Sequence, residues 1–221
     1  SPVEVINDLN SEVINFYKVL KTQFDDLAGM VEATLHSRRQ HKDAQIIYEN
    51  PHLFTEVDRA WAFWLQCNQS FTSNICGGWA YTRKSNSCEK KTHFSKDRFK
   101  ELYADRLKFV QVECNDALKV IASRDTDETF FYVDPPYPNT HQGIYSGYQM
   151  SDFESLLELL STIKGKFLLS SYDYETLTKS AKKHKWHQFK KEMLITAVKA
   201  ESGKGREKKK IEVFTANFPI G

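Results

Sequence analysis

The sequence predicts an α/β protein in which a mostly parallel sheet, with helices on both faces, carries a mainly helical inserted subdomain. Three observations lead there. Short β-like runs alternate with helical stripes at both ends of the chain. That alternation stops between roughly residues 22 and 100, where no convincing core strand occurs. Finally, the apolar, aromatic run "TFFYV" closes on Asp134, and the C-terminal ends of strands are where open α/β sheets place their chemistry.

The elements follow in order. β-like runs are expected over Val3 to Asn7, Leu107 to Cys114, Thr129 to Val133, Lys166 to Ser171, Trp186 to Ile195 and Ile211 to Phe218. After the first run, Val13, Phe16, Tyr17 and Leu20 share one face at helical spacing. The segment 22–100 predicts one helix from Thr55 to Gln69, whose Trp61, Phe63 and Trp64 read as core, and then the polar stretch "TRKSNSCEKKTHFSKDR". "SDFESLLELLSTIKG" predicts a helix that opens with a Ser151 to Glu154 capping box, carries Leu156, Leu157, Leu160 and Ile163, and stops at Gly165. The domain reading is therefore an α/β domain of residues 1–21 and 101–221 interrupted by a helical subdomain of 22–100.

With 40% hydrophobic and 13% aromatic residues the chain has ample material for a packed core. No apolar run approaches the roughly 20 residues of a membrane span. "SPVEVINDLN" lacks the basic and apolar regions of a signal peptide, so the expected compartment is the cytoplasm. Cys67, Cys76, Cys88 and Cys114 show no C-x-x-C spacing and no His at zinc-ligand distance, so they are expected to be reduced, mostly buried and without metal. Net charge is only +2, yet twelve Lys or Arg against three Glu lie between Lys179 and Lys210. Such a patch favours phosphate backbones, although any single lysine in it is as well explained as solvated surface.

The tetrapeptide Asp134-Pro135-Pro136-Tyr137 carries the chemistry. Two prolines stiffen the turn and restrict the residue before them, which fixes the Asp134 carboxylate, the Pro135 carbonyl and the Tyr137 ring relative to one another. An aromatic amine is a poor nucleophile because its lone pair is delocalised into the ring. Two acceptors gripping its hydrogens pull the nitrogen toward tetrahedral geometry, and Tyr137 offers a face for stacking a base. A polar Asp closing a buried strand is costly unless something uses it, which weighs against a merely structural turn.

With "FFYVDPPY" followed one strand later by "FLLSSYD", the chain resembles the Dam-like, D12-class DNA adenine-N6 methyltransferases over nearly its whole length. The resemblance implies a Rossmann-like sheet, S-adenosylmethionine as methyl donor, double-stranded DNA as substrate, base flipping, and a bacterial or phage origin. "VINDLNSEVINFY" is similar to the segment whose acidic residue holds the cofactor's ribose, which nominates Asp8, with Asn10 capping the next helix. "VECNDALKVI" nominates Asp116, with Ala117 beside it, for the cofactor's adenine, and Asp134 contributes to the cofactor site as well. "AWAFWLQCNQSFTSN" is similar to part of the family's target-recognition region, so Asn68, Phe71, Arg83 and Lys84 are implied DNA contacts. "PNTHQGIYSGYQM" matches the loop whose aromatics hold the displaced nucleotide, here Tyr145 and Tyr148. His141 in that loop is given no proton-transfer role. "EKKKIEVFTANF" matches the closing strand of the family sheet.

The chain departs from the family at one point. It has no apolar strand running into a "F-x-G-x-G" turn, so the first, central strand of the sheet is expected to be missing. A missing N-terminal segment, a compensating rearrangement or a second polypeptide is expected to fill the gap, because ladder groups left unpaired on its neighbours are costly. Two further readings stay open: a methyltransferase acting on another planar amine (RNA adenine, cytosine N4 or a glutamine side chain), and a catalytically silent DNA-binding module.

Overall fold

The computed structural model describes residues 3–140, 143–195 and 208–220. Among them are six strands and nine α-helices: β1 Glu4–Asn7, α1 Ser11–Thr22, α2 Phe24–Ala33, α3 Arg38–Glu49, α4 Glu56–Gln69, α5 Ser87–Asp97, α6 Glu101–Leu107, β2 Val110–Glu113, α7 Ala117–Arg124, β3 Phe130–Val133, α8 Met150–Leu160, β4 Lys166–Tyr172, α9 Glu175–His184, β5 His187–Ile195 and β6 Lys208–Ala216. They form two compact units, Ser1–Ala117 and Leu118–Gly221.

In the first unit α4 is the central helix. Thr55 starts it with a reciprocal cap: its hydroxyl accepts from the Asp58 N–H at 3.1 Å, and the Asp58 carboxylate accepts from the Thr55 N–H at 3.2 Å. Trp61, Trp64 and Leu65 are buried against Val19 of α1, Leu27 and Val31 of α2, and Ala44 and Ile47 of α3. The Trp61 indole N–H, which must find an acceptor in such a core, donates to the Thr34 hydroxyl at 2.8 Å. Glu12 is 5% exposed and is paired with Arg59, whose Nε donates to it at 2.9 Å, so that α1 is pinned to α4 by a satisfied charge. A second cluster, Leu20, Leu107 and Val110 with Ile6 and Tyr17 against it, seats α1 on β1 and β2. Those two strands pair in parallel, from Glu4 opposite Val110 to Asn7 opposite Glu113.

In the second unit the strand order is β3-β4-β6-β5. β3 and β4 are parallel, whereas β6 runs antiparallel to both β4 and β5. Phe153, Leu156, Leu157 and Leu160 of α8 and Leu177 of α9 bury one face of this sheet through Val133, Phe167, Leu169 and Val213. On the opposite face Phe130, Tyr132 and Phe189 remain 55%, 61% and 51% exposed. Asp125 ties the entry of β4 by accepting from the Lys164 N–H and the Gly165 N–H, each at 2.9 Å.

Several expectations are corrected. The described strands make a parallel two-stranded sheet and a four-stranded sheet of mixed direction rather than one mostly parallel sheet. Alternating apolar residues report burial and carry no information on strand direction, so the β5–β6 antiparallel pair was not readable. The cap of α8 is Gln149 with Asp152, not Ser151 with Glu154; the helix begins two residues earlier and ends at Leu160, leaving Ile163 packed against the core from outside it. The segment 22–100 holds α2, α3 and α5 in addition to the expected helix. Cys67, Cys76 and Cys88 are half-buried and Cys114 is exposed, not mostly buried, and all four are free thiols. No helix among the described residues is long and apolar enough to cross a membrane.

Candidate active site

β3 delivers Asp134 to the C-terminal edge of the second unit's sheet. Val133 is buried and Asp134 is the first residue to emerge. The turn that follows is held from below. Pro138 is buried and its carbonyl accepts the Tyr174 hydroxyl at 2.8 Å, the Thr140 hydroxyl donates to the Tyr137 carbonyl at 2.7 Å, and Asn139 takes a left-handed conformation (φ 59°) tolerated by asparagine. Burial pushes the Tyr174 phenol up to about 12, with Tyr172 adding to the effect, so it remains a donor to that carbonyl.

The Tyr137 hydroxyl lies 3.2 Å from Asp134 Oδ1 and 2.9 Å from Ser170 Oγ, and the Ser170 hydroxyl donates to Glu212 Oε1 at 3.3 Å. The Tyr137 ring meets Tyr172 edge to face, with centroids 4.3 Å apart. β4 contributes Ser170 and Tyr172 to one face of the sheet, and β6 contributes Glu212 opposite Tyr172. Loss of solvent around the Asp134 carboxyl raises it above the usual aspartate range. The Tyr137 hydrogen bond opposes that rise, the Glu212 charge adds to it, and the Ser170 hydroxyl again opposes it. Loss of solvent also holds the Tyr137 phenol far above its ordinary value, so at neutral pH it is a proton donor. Asp134 itself stays exposed, which leaves room for a substrate to reach it.

A second group of nominated residues stands at the carboxyl end of the β1–β2 pair. The Asn7 side chain donates to the Asn115 carbonyl at 2.9 Å and accepts from the Asn115 N–H at 3.0 Å, which locks the two strand exits together. Asp8 follows Asn7, half-buried, with its Oδ1 accepting the Asn10 N–H at 2.8 Å; Asn10 in turn caps α1 by accepting from the Glu12 N–H at 2.9 Å. Asp116 and Ala117 are exposed at the start of α7, and the Asp116 N–H donates to the Asn115 side chain at 2.9 Å. The structure thus brings Asp8, Asn10 and Asp116 to one strand end. Asn7 and Asn115, which build that end, were not singled out from sequence.

Among the recognition candidates, Phe71 is 60% exposed and Arg83 and Lys84 are exposed. The Asn68 amide is occupied within the unit, donating to the Trp64 carbonyl at 2.8 Å and accepting the Ser95 hydroxyl at 2.7 Å. Beside them lies a group missed from sequence. The Arg38 guanidinium sits 4.7 Å from the Trp79 ring centroid and 5.2 Å from that of Tyr81, and His36 stacks on Trp79. The sequence signal was the short aromatic run around "GGWAY", but its arginine partner comes from the start of α3. Tyr145 is 37% exposed, whereas Tyr148 packs against the core of the second unit and burial raises its phenol. His141 and residues 196–207, which include much of the basic stretch, lie outside the described residues.

No curated protein matches the chain. A family model does: that of the D12 class N6 adenine-specific DNA methyltransferases, over residues 2–195. This match takes in β1, both candidate strand ends and the DPPY turn, and the chain belongs to the D12 class of N6 adenine-specific DNA methyltransferases.

Proposed function

We propose that this chain transfers a methyl group from S-adenosylmethionine to the exocyclic N6 of a flipped adenine in duplex DNA. The observation that carries the reading is Asp134, exposed at the end of β3, with its carboxylate met by the half-buried Tyr137 hydroxyl, which also reaches the buried Ser170 hydroxyl. Its partners are Pro135, which supplies a carbonyl acceptor, Pro136, which stiffens the turn, and Tyr137.

The acceptor set at the end of β1 and β2 suits an adenosine. A ribose diol and an aromatic amine both offer O–H or N–H donors, and Asp8 and Asp116 are acceptors. Asn10 would hold the Asp8 side of that site, and the backbone at Ala117 would lie along the ring. When bound, the sulfonium supplies an already activated methyl group. The chain's own work is then positioning and electrostatics. Asp134 and the Pro135 carbonyl accept the two amine hydrogens, so the nitrogen lone pair turns out of conjugation toward the methyl carbon. As the N–C bond forms and the C–S bond breaks, positive charge develops on N6. The Asp134 carboxylate stabilises it and takes up the proton that N6 loses, before that proton passes to water.

The helical segment 22–100 is proposed as the target-recognition subdomain of a domain made of 1–21 and 101–221. Phe71, Arg83 and Lys84 face solvent there, and Tyr145 is the accessible aromatic for the displaced nucleotide. Flipping an adenine costs a few kcal/mol, which stacking on aromatic side chains offsets.

Calorimetric titration with S-adenosylmethionine, with and without duplex DNA, separates this reading from a silent binding module. Micromolar binding is expected. Duplex binding with a steep salt dependence and no cofactor binding would favour the module.

A further inference from the structure

The hydrogen bonds around the DPPY turn have a direction. A carboxylate only accepts, and each hydroxyl has one proton to give. Ser170, 2% exposed, has its hydroxyl 3.3 Å from Glu212 on one side and 2.9 Å from the Tyr137 hydroxyl on the other, two acceptors for one proton. Tyr137, 2.9 Å from Ser170 and 3.2 Å from Asp134, likewise has two acceptors for one proton. The antiparallel register explains how Glu212 enters. Ser170 faces Phe214 and Tyr172 faces Glu212, so Ser170 and Glu212 are diagonal neighbours on one sheet face, within reach of a long side chain.

Three proton arrangements are available. Ser170 can donate to Tyr137 and Tyr137 to Asp134; Ser170 can donate to Glu212 while Tyr137 donates to Asp134; or Ser170 can donate to Glu212 and take the Tyr137 proton, which leaves Asp134 without it. Only the last frees Asp134, and it needs an acceptor at position 212. We infer that Glu212 is a positioning residue for methyl transfer: through Ser170 it draws the Tyr137 proton away from Asp134 and leaves that carboxylate to accept from the substrate amine. This rests on the role proposed above for Asp134.

The titratable groups facing the chain are Tyr132 on β3, Tyr172 on β4, Lys191 on β5 opposite Glu212, Tyr137 and the two carboxylates. The Glu212 charge acts in the same sense as its hydrogen bond, adding negative potential where the amine becomes cationic. The Tyr132 phenol, raised first by loss of solvent and then by Asp134 and Glu212, reports the same pair of charges.

The test uses the full chain with Glu212→Leu, which removes the acceptor, Ser170→Ala and the double variant, and two readouts. In methyl transfer from S-adenosylmethionine to duplex DNA, Glu212→Leu is expected to lower kcat about tenfold or more while KM for duplex and cofactor stays within about twofold. In carbon-13 carboxyl titrations of aspartate-labelled protein, with the Asp134 signal assigned from Asp134→Asn, the Asp134 midpoint is expected to fall by about one pH unit in Glu212→Leu. Two causes have this same sign: a like charge is lost and the Tyr137 proton swings onto Asp134. Ser170→Ala should reproduce the loss of kcat, and the double variant should be no worse than the more severe single, the mark of one chain rather than two independent contacts. An unchanged Asp134 midpoint in Glu212→Leu overturns the inference, as do fully additive losses. Because the titration needs no turnover, a wild-type chain that fails to methylate adenine would contradict the proposed function while this readout still judges the hydrogen-bond chain. Thermal melting of both single variants separates loss of fold from loss of positioning.

Discussion

Asp134 is kept ionisable at a cost. Its carboxyl is raised chiefly by loss of solvent, with the Glu212 charge adding to the rise. Between its unfolded value of about 3.9 and that raised folded value, the folded state binds more proton than the unfolded chain, so stability falls as pH rises. Above the raised folded value the full cost is present, and it is relieved as pH falls through that value, being gone below about 4. Asp134→Asn is therefore expected to raise Tm at neutral pH and to lose that advantage near pH 4, as followed by thermal melts across pH. Asp134→Ala should lower kcat by about a hundredfold or more, the loss expected from removing one oriented charge-stabilising group, while duplex Kd stays within about twofold by anisotropy. Asp134 and Tyr137 were legible because they are adjacent in sequence and punctuated by prolines. Glu212 was not. It reaches the turn only through the register of β6 on β4, which no single strand encodes, although a glutamate alternating with Phe214 and Ala216 on a strand was a signal that something polar lay across from it.

At the scale of elements, strands and the helix with strong apolar stripes were readable, and weakly patterned helices were not. All six β-like runs became strands, with ends shifted by up to three residues. α5 escaped notice because it buries only Thr92 and so carries almost no periodic signal. α4 was visible from its tryptophans, and its start is fixed by Thr55. Thr55→Ala removes the cap and should cost about 1 kcal/mol of stability in denaturant unfolding. Gly165 is the corresponding fixed point of the second unit. A Cβ there would lie 2.7 Å from the Thr129 carbonyl oxygen, a backbone atom that cannot easily give way. Gly165→Ala is expected to destabilise by roughly 1–3 kcal/mol and to loosen the β3–β4 junction that carries Asp134, which hydrogen exchange along β3 would detect.

For the molecule as a whole, charge distribution matters more than net charge. A balance of +2 gives little general attraction to DNA, so local clusters such as Lys182, Lys183 and Lys185, exposed at the end of α9, are the groups to test. Their place in the last helical turn also suits the helix dipole, a structural use that makes the test necessary. If they contact phosphates, replacing Lys182 and Lys183 by glutamine should flatten the slope of log Kd against log salt by about 2. An unchanged slope would assign them to the helix terminus alone. Methyl transfer to N6 is tested most directly by mass analysis of nucleosides from duplex DNA incubated with the chain and isotopically labelled S-adenosylmethionine. Label is expected in N6-methyladenine with the wild-type chain and none with Asp134→Ala. Label in N4-methylcytosine, or equal N6 labelling by the Asp134→Ala variant, would contradict it.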